Sequence, residues 1–392
     1  MTHPQRDAAL PRALWALMVG HFVIGTGIMV VPGTLNDISQ SLGVSIPQAG
    51  QLITAGAILM GLGAPTFATL VAGWDRRRLL TLSLVWYALL MGICALAPSY
   101  TALLPLRVLA VISPAIFTPQ AAASIGLMVS SERRGRAITF VFMGWSVASV
   151  LGMPLSAWIG GAFGWRWAFG LVSLMAVVSA VWVWRAMPDG IRPAALSRDA
   201  WRQTLGSAQL MLALGVTLLS GFGQFILFSY FAPYLQQTLA TSATTLSLLF
   251  LWFGAFGLAG TLGLTRWVDR MGAPRAVLLT LGLMALSLAI WPLGRQGLWV
   301  QALVMVPWAL GCFAANSAQQ ARLVHLSPIL APATVALNTS AIYAGQGLGA
   351  ALGGLLIAQG HMLNLHSVGL ALMLLAMGLS VWAQKRSVGS KS

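Results

Sequence analysis

Twelve long apolar runs follow one another along this 392-residue chain, and no other feature limits its fold so strongly. They lie at about 13–35, 47–70, 79–97, 102–128, 137–160, 166–187, 208–235, 243–265, 276–294, 297–320, 332–360 and 365–384. About 20 apolar residues suffice to cross the roughly 30 Å hydrocarbon core of a bilayer as a helix. A spanning segment must satisfy its own backbone, so only helices and closed barrels qualify. Barrel strands are about ten residues long and alternate strictly; these runs are longer and do not alternate. The expected fold is an all-α membrane protein with twelve transmembrane helices. Charged residues make up only 7% of the chain, against about 25% in soluble domains. A soluble enzyme, a disordered chain and a disulfide scaffold are excluded. Cys94 and Cys312 sit in separate apolar runs, so neither a disulfide nor a zinc site is expected.

The net charge of +15 would suggest nucleic acid in a soluble protein. Here the charges stand between apolar runs and report topology. With the N-terminus in the cytoplasm, 19 of the 22 basic residues fall on the inner side. Only Arg166 and Arg295 fall outside, and Arg107 lies within a span. Basic residues accumulate in cytoplasmic loops, so both termini are expected in the cytoplasm and the protein in the cell inner (plasma) membrane. No nucleic-acid partner is expected.

The longest inner loop runs from Pro188 to about Ser207 and separates six spans from six. The expected organisation is an N-terminal six-helix bundle over 1–187, a cytoplasmic linker over 188–207 and a C-terminal six-helix bundle over 208–392. The halves resemble each other. Ala72-Gly73-Trp74-Asp75-Arg76-Arg77-Arg78 follows the second span, and Arg266-Trp267-Val268-Asp269-Arg270-Met271-Gly272 follows the eighth. Gly152-Met153-Pro154 and Gly160-Gly161 in the fifth span are matched by Gly345-Gln346-Gly347 and Gly353-Gly354 in the eleventh. Such duplications are typical of secondary transporters, whose substrate site lies between the halves.

These features together resemble the major facilitator superfamily over almost the whole chain. The stretch from Gly260 to Gly272 is similar to the superfamily's inner-loop signature, and Arg107-Val108-Leu109 to its second motif. Val150 to Arg166 resembles the glycine–proline motif of the exporter branch, as does Tyr230 to Gly260 with Pro233 and Leu235. Within the superfamily the chain is similar to the sugar-efflux and drug:proton antiporter group. The resemblance implies a major facilitator fold of two bundles related by a pseudo-two-fold axis. It also implies alternating access, with Asp75, Arg76, Gly152, Pro154, Asp269 and Arg270 as gating or conformational residues. The sequence departs from the pattern at Ala72 and Gly73, where Asp-Arg usually stands. It departs again at Gly25-Thr26-Gly27, where many relatives carry a carboxylate after the threonine.

All seven acids, Asp7, Asp37, Asp75, Glu132, Asp189, Asp199 and Asp269, are expected in loops, at span ends or in the N-terminal tail. Intramembrane acids are the usual proton relays and cation partners. Without them, a neutral or anionic substrate is expected, or coupling through another group. Arg107 is the one charge expected inside a span. It lines the cavity as an anchor or gate, or else it snorkels outward or bonds helix carbonyls. His21, near the middle of the first span, is the proton-coupling candidate because histidine titrates near neutrality; the alternative is a neutral, hydrogen-bonded group. His361 and His366 have no metal-ligand spacing.

The pocket candidates are Arg107, Phe117, Gln224, Phe228, Tyr230, Trp252, Phe256, Trp308, Asn316, Asn338, Tyr343 and Gln346, with Gln320 nearby. A mostly apolar pocket with sparse polar groups suits amphipathic molecules. The same residues could instead bond between helices or face lipid. Trp165 and Trp299 are expected in the interfacial belt. Gly345-x-Gly347-x-x-Ala350 has the spacing of a dinucleotide fingerprint but no preceding strand, so packing explains it. No HExxH, GxSxG or Walker loop occurs, so an enzyme is not expected. No cofactor or metal is expected. The expected protein is a monomeric secondary exporter in membrane lipid, carrying a small-molecule substrate, with protons as candidate coupling ions. Uptake or facilitated diffusion on the same scaffold is the alternative, and a membrane receptor a remoter one.

Overall fold

The computed structural model describes residues 4–192, 197–327 and 330–389. Before the linker come α1 (Pro4–Leu42), α2 (Ile46–Leu70), α3 (Arg76–Ala95), α4 (Tyr100–Ala110), α5 (Ile112–Met128), α6 (Ser131–Phe163) and α7 (Trp165–Ala186). The linker carries α8 (Arg198–Gly206). After it come α9 (Ala208–Phe228), α10 (Phe231–Leu239), α11 (Ala243–Met271), α12 (Ala273–Ile290), α13 (Leu298–Leu326), α14 (Ala331–Ala358) and α15 (Leu365–Gly389). Among the described residues, eleven helical segments are long and apolar enough to cross a membrane. The uncharged, 25-residue α2 stands beside them; counted in, it brings the number to the expected twelve.

Local chemistry sets the ends of these helices. Ser45 accepts from the Gln48 amide at the start of α2, and Asp75 caps α3 through the Arg78 amide. Such caps satisfy amides that have no partner within the helix. Gly164, at φ +96°, is the single residue between α6 and α7. That left-handed backbone favours glycine.

Several boundaries differ from expectation. α1 continues past residue 35 to Leu42, across a kink at Thr34 (φ −113°, ψ 16°). Asp37 therefore sits half-buried inside a helix, five residues before its end, not in a loop. The fourth span divides at Val111 into α4 and α5, and the seventh at Ser229–Tyr230 into α9 and α10. α13 runs on to Leu326, which places Arg322 inside it. Arg322 is buried and donates to the Ser380 hydroxyl at 2.9 Å, so Arg107 is not the sole buried cation within a span. Trp165 is buried edge-on against Phe169, with Arg166 4.5 Å over its ring; only Trp299 is exposed as a belt residue would be.

Before the linker, α1 packs on α6 and α7, and α3 on α7. After it, α9 packs on α14 and α15, and α12 on α13 and α15. The two groups meet where α2 lies against α14 and α6 against α11. Small residues make these approaches possible, as is usual where lipid removes the hydrophobic drive for helix association. A Cβ on Gly61 would stand 3.0 Å from the Ala344 amide, and one on Gly254 2.5 Å from Val150 Cα. The glycines of α14 serve packing too: Gly345 and Gly349 sit against the α9 backbone at Leu218 and Phe222.

Candidate functional site

A chain of amide and hydroxyl groups links three helices of the second half. Thr217 on α9 donates to Asn338 Oδ1 at 2.7 Å, and Asn338 Nδ2 on α14 donates to Asn316 Oδ1 on α13 at 3.3 Å. Gln320, one turn further along α13, donates to the same Asn316 oxygen at 3.3 Å. Thr217 and Asn338 are buried, but Asn316 and the adjacent Ser317 are exposed. Asn316 lies ten residues from the end of the 29-residue α13, in the helix interior. A polar side chain inside a membrane span faces protein or a water-filled cavity, not lipid. The exposed amide is therefore this bundle's candidate for a cavity-facing group. Asn316 and Asn338 were visible as candidates in the sequence. Thr217 was not, because one threonine in an apolar run carries no signal until its partner is placed.

Arg107 stands in the other half, seven residues into α4. It is 3% exposed. Its guanidinium donates to the Gly27 carbonyl of α1 at 2.9 Å and to the Met91 sulfur of α3 at 3.5 Å. The Tyr87 ring lies beside it, with its hydroxyl packed on Gly27. Nε of Arg107 has no hydrogen-bond partner among the described residues. Arg107 is thus held within the first bundle by a helix carbonyl and does not project into open space. Tyr343 of α14 comes within electrostatic reach of Tyr87, so this cluster approaches the seam between the halves.

His21 is fully buried, with Nδ1 against the Leu17 carbonyl at 3.1 Å. Its ring packs on Phe142 and Phe117 at centroid distances of 4.7 and 5.3 Å. Nε2 has no partner among the described residues. Phe117 is accordingly a packing partner of α1, closing over Gly20.

Most of the aromatic candidates form core. Trp308 and Phe228 join Phe231, Phe253 and Trp291 in one cluster, in which Phe231 stacks on Trp291 at 5.5 Å and 16°. Tyr230 is buried, donating to the Ala350 carbonyl at 2.7 Å. Trp252, 40% exposed, donates to the Ala302 carbonyl and packs on Phe256. Gln224 and Phe256 are half-buried; Tyr343 and Gln346 are buried on α14.

The α2–α3 loop clasps the start of the linker. Asp75 Oδ2 accepts from the Gly190 amide at 2.6 Å, and the Arg76 amide donates to the Ile191 carbonyl at 2.9 Å. The buried Arg76 side chain holds its own loop through the carbonyls of Val71, Ala72 and Trp74. Arg77 pairs with Asp189 at 2.7 Å and lies 4.3 Å over the Trp184 ring. In the corresponding α11–α12 loop Arg270 is exposed, while the side chains of Arg266 and Asp269 lie outside the described residues. In the fifth span, Gly152 abuts Thr26 of α1, and Pro154 lies inside an unbroken α6.

A multi-pass helical membrane protein whose two helix groups meet along paired crossing helices, with linked polar groups inside its apolar helices, is built as a transporter. The chain belongs to the Major Facilitator Superfamily, whose sequence model matches residues 17–328 and 213–391. It is 31% identical to the inner membrane transport protein YdhP of Escherichia coli K12, over 88% of this chain and 89% of that one. It is 30% identical to a chloramphenicol resistance protein of Streptomyces lividans, over 85% and 87%. A probable sugar efflux transporter of Pasteurella multocida is 27% identical over 89% and 86%. In fold it resembles a D-xylose–proton symporter, with a TM-score of 0.78 at 16% identity, over 95% and 97% of the two chains.

Proposed function

We propose that this transporter is a secondary exporter of small neutral or anionic solutes, amphipathic or sugar-like, working by alternating access. The observation that carries this reading is the exposed Asn316 amide inside the apolar α13, tied to Asn338 and through it to Thr217. Substrate binding at the midplane between two bundles is the general arrangement of such carriers. Gln224, Phe256, Tyr343 and Gln346 are the further candidates for the pocket. Export is favoured by the relatives named for sugar efflux and chloramphenicol resistance.

The charge preference rests on where the acids and cations lie. Asp37 is 16 residues beyond His21 along α1, about 24 Å by helix rise. Arg107, by contrast, is buried near the seam with part of its guanidinium unpartnered. A cation in a poorly screened interior repels other cations. His21, with its free Nε2 at mid-depth, is the candidate proton carrier. The split of basic residues favours both termini in the cytoplasm, and the name of the Escherichia coli relative favours the inner membrane; a monomer is the expected state. The halves, 1–187 and 208–392, are then the units that rock.

Flux in proteoliposomes tests the reading. Uncharged sugars and chloramphenicol are expected to move, a permanently cationic dye is not, and Arg107→Ala should abolish transport in a folded protein. Efficient transport of the dye, untouched by Arg107→Ala, would overturn the charge argument. His21→Gln should keep substrate exchange but lose accumulation driven by a pH gradient; retained accumulation removes the histidine from coupling.

A further inference from the structure

On the outer surface of the first bundle, α3 and α7 leave a groove of about 730 Å³ between them. Along α3 its lining follows one helical stripe through Thr81, Val85, Leu89, Ile93 and Leu96. Val177, Val181 and Trp184 form the facing wall on α7. The floor is made of small residues, Ala88, Gly92, Ser173 and Ala180. Ser173 donates to the Ala88 carbonyl at 2.7 Å, so the helices are held together beneath the groove. The opening is thus a shape fixed in the surface, not a gap between loose helices.

One end of the groove is cationic. Arg185 lines it, beside Trp184, where α7 ends. Arg78 lies three residues before Thr81, on the same face of α3 and one turn nearer that end. Both arginines are exposed, and neither has an acidic partner among the described residues. The neighbouring Arg77 differs, being paired with Asp189. From Thr81 to Leu96 the apolar stripe covers 15 residues, about 22 Å by helix rise. That exceeds the roughly 15 Å of one leaflet's hydrocarbon.

We propose that this groove is a binding site for one anionic phospholipid, with its acyl chains along α3 and α7 and its phosphate between Arg185 and Arg78. The free cationic charge is at one end: near Leu96, at the other, the Arg166 guanidinium is engaged by the Ala97 carbonyl at 2.9 Å and the Ser41 hydroxyl at 3.2 Å and lies over the Trp165 ring. Arginine suits a phosphate through its planar set of donors. A zwitterionic lipid would fill the same groove but keep an ammonium group near two cations, so it should be held less well. The site lies on the face of the bundle away from Asn316 and needs no transported substrate.

Native mass spectrometry of the purified full chain tests this, using mixed micelles with equal phosphatidylglycerol and phosphatidylcholine. Preferential retention of one phosphatidylglycerol by the wild type is expected. In the Arg78→Gln/Arg185→Gln variant, retention of the two lipids should become equal. Val177→Trp, which fills the groove and leaves the charges, should lower retention of both lipids several-fold. Circular dichroism and monodisperse elution establish that each variant is folded. Equal retention of the two lipids by the wild type overturns the proposal, as does unchanged preference in the double arginine variant. Full retention in Val177→Trp overturns the groove as the seat of the acyl chains and leaves only surface charge.

Discussion

Asn36 of α1 donates a side-chain hydrogen bond to Gln236 of α10 at 2.5 Å, joining the two halves at the end of the bundle away from both termini. Asn36 stands just past the Thr34 kink, and Gln236 lies in the short helix after the break in the seventh span. The breaks in both helices thus bring their ends together. One neutral hydrogen bond contributes about 0.5–1.5 kcal/mol net, a contact strong enough to bias a conformation and weak enough to break in each cycle.

Removing it should therefore move the balance of states and leave the fold alone. Asn36→Ala is expected to raise the population open at that end by roughly two- to ten-fold, the equivalent of about 0.5–1.5 kcal/mol. Spin-label distances across the outer ends of α1 and α10 would reveal it. An unchanged distance distribution would mean that other contacts hold the end closed.

A steric change at the same end should act more strongly. A Cβ on Gly161, near the end of α6, would fall inside the Ala243 side chain at the start of α11. Gly161→Leu is expected to wedge the halves apart there and to cut transport at least ten-fold, with little loss of thermal stability. If the leucine variant transports normally, the two helices do not need this approach.

The amide cluster should separate binding from stability. Interhelical hydrogen bonds in membranes are worth about 0.6–2 kcal/mol each. Asn338→Leu leaves the buried Thr217 hydroxyl without its acceptor and should lower the unfolding temperature as well as transport. Asn316→Ala, at the exposed end of the chain, should weaken substrate binding while stability stays near that of the parent. Thermal unfolding beside uptake assays distinguishes them. Equal destabilisation by both would make Asn316 structural.

At the linker, the carboxylate matters more than the ion pair. Asp75 both caps α3 and accepts from Gly190, whereas in the Arg77–Asp189 pair the carboxylate is 70% exposed. Loss of a cap costs about 1 kcal/mol; an exposed pair contributes about 0–1. Asp75→Ala should speed amide hydrogen exchange over 187–192 more than Arg77→Gln does. The reverse order would place the clasp in the arginine.

The membrane fold was written in the order of residues. Apolar runs, loop charges and the repeat of Asp75 by Asp269 are local or periodic properties, and a bilayer leaves a helix no alternative partner for its backbone. Burial within the bundle was not written there. Phe228 and Trp308 look like pocket residues in a linear chain because aromatic side chains serve core and cavity equally; only the placement of Trp291 beside them makes them core. For Arg107 the sequence leaves a cavity-lining cation, a snorkelling one and one bonded to helix carbonyls open, and only the tertiary structure supplies the Gly27 carbonyl of α1 as its partner. Arg322 follows the tenth apolar run in the sequence, and only the extension of α13 past it and Ser380 of α15 make it a buried helix residue. The sequence by itself thus determined which segments are apolar enough to cross a membrane and that the chain belongs with the transporters of its superfamily, since hydropathy acts one helix at a time. Only the tertiary structure decided which polar groups are buried against a partner and which stay exposed, because that depends on partners more than a hundred residues away, such as Thr217 for Asn338.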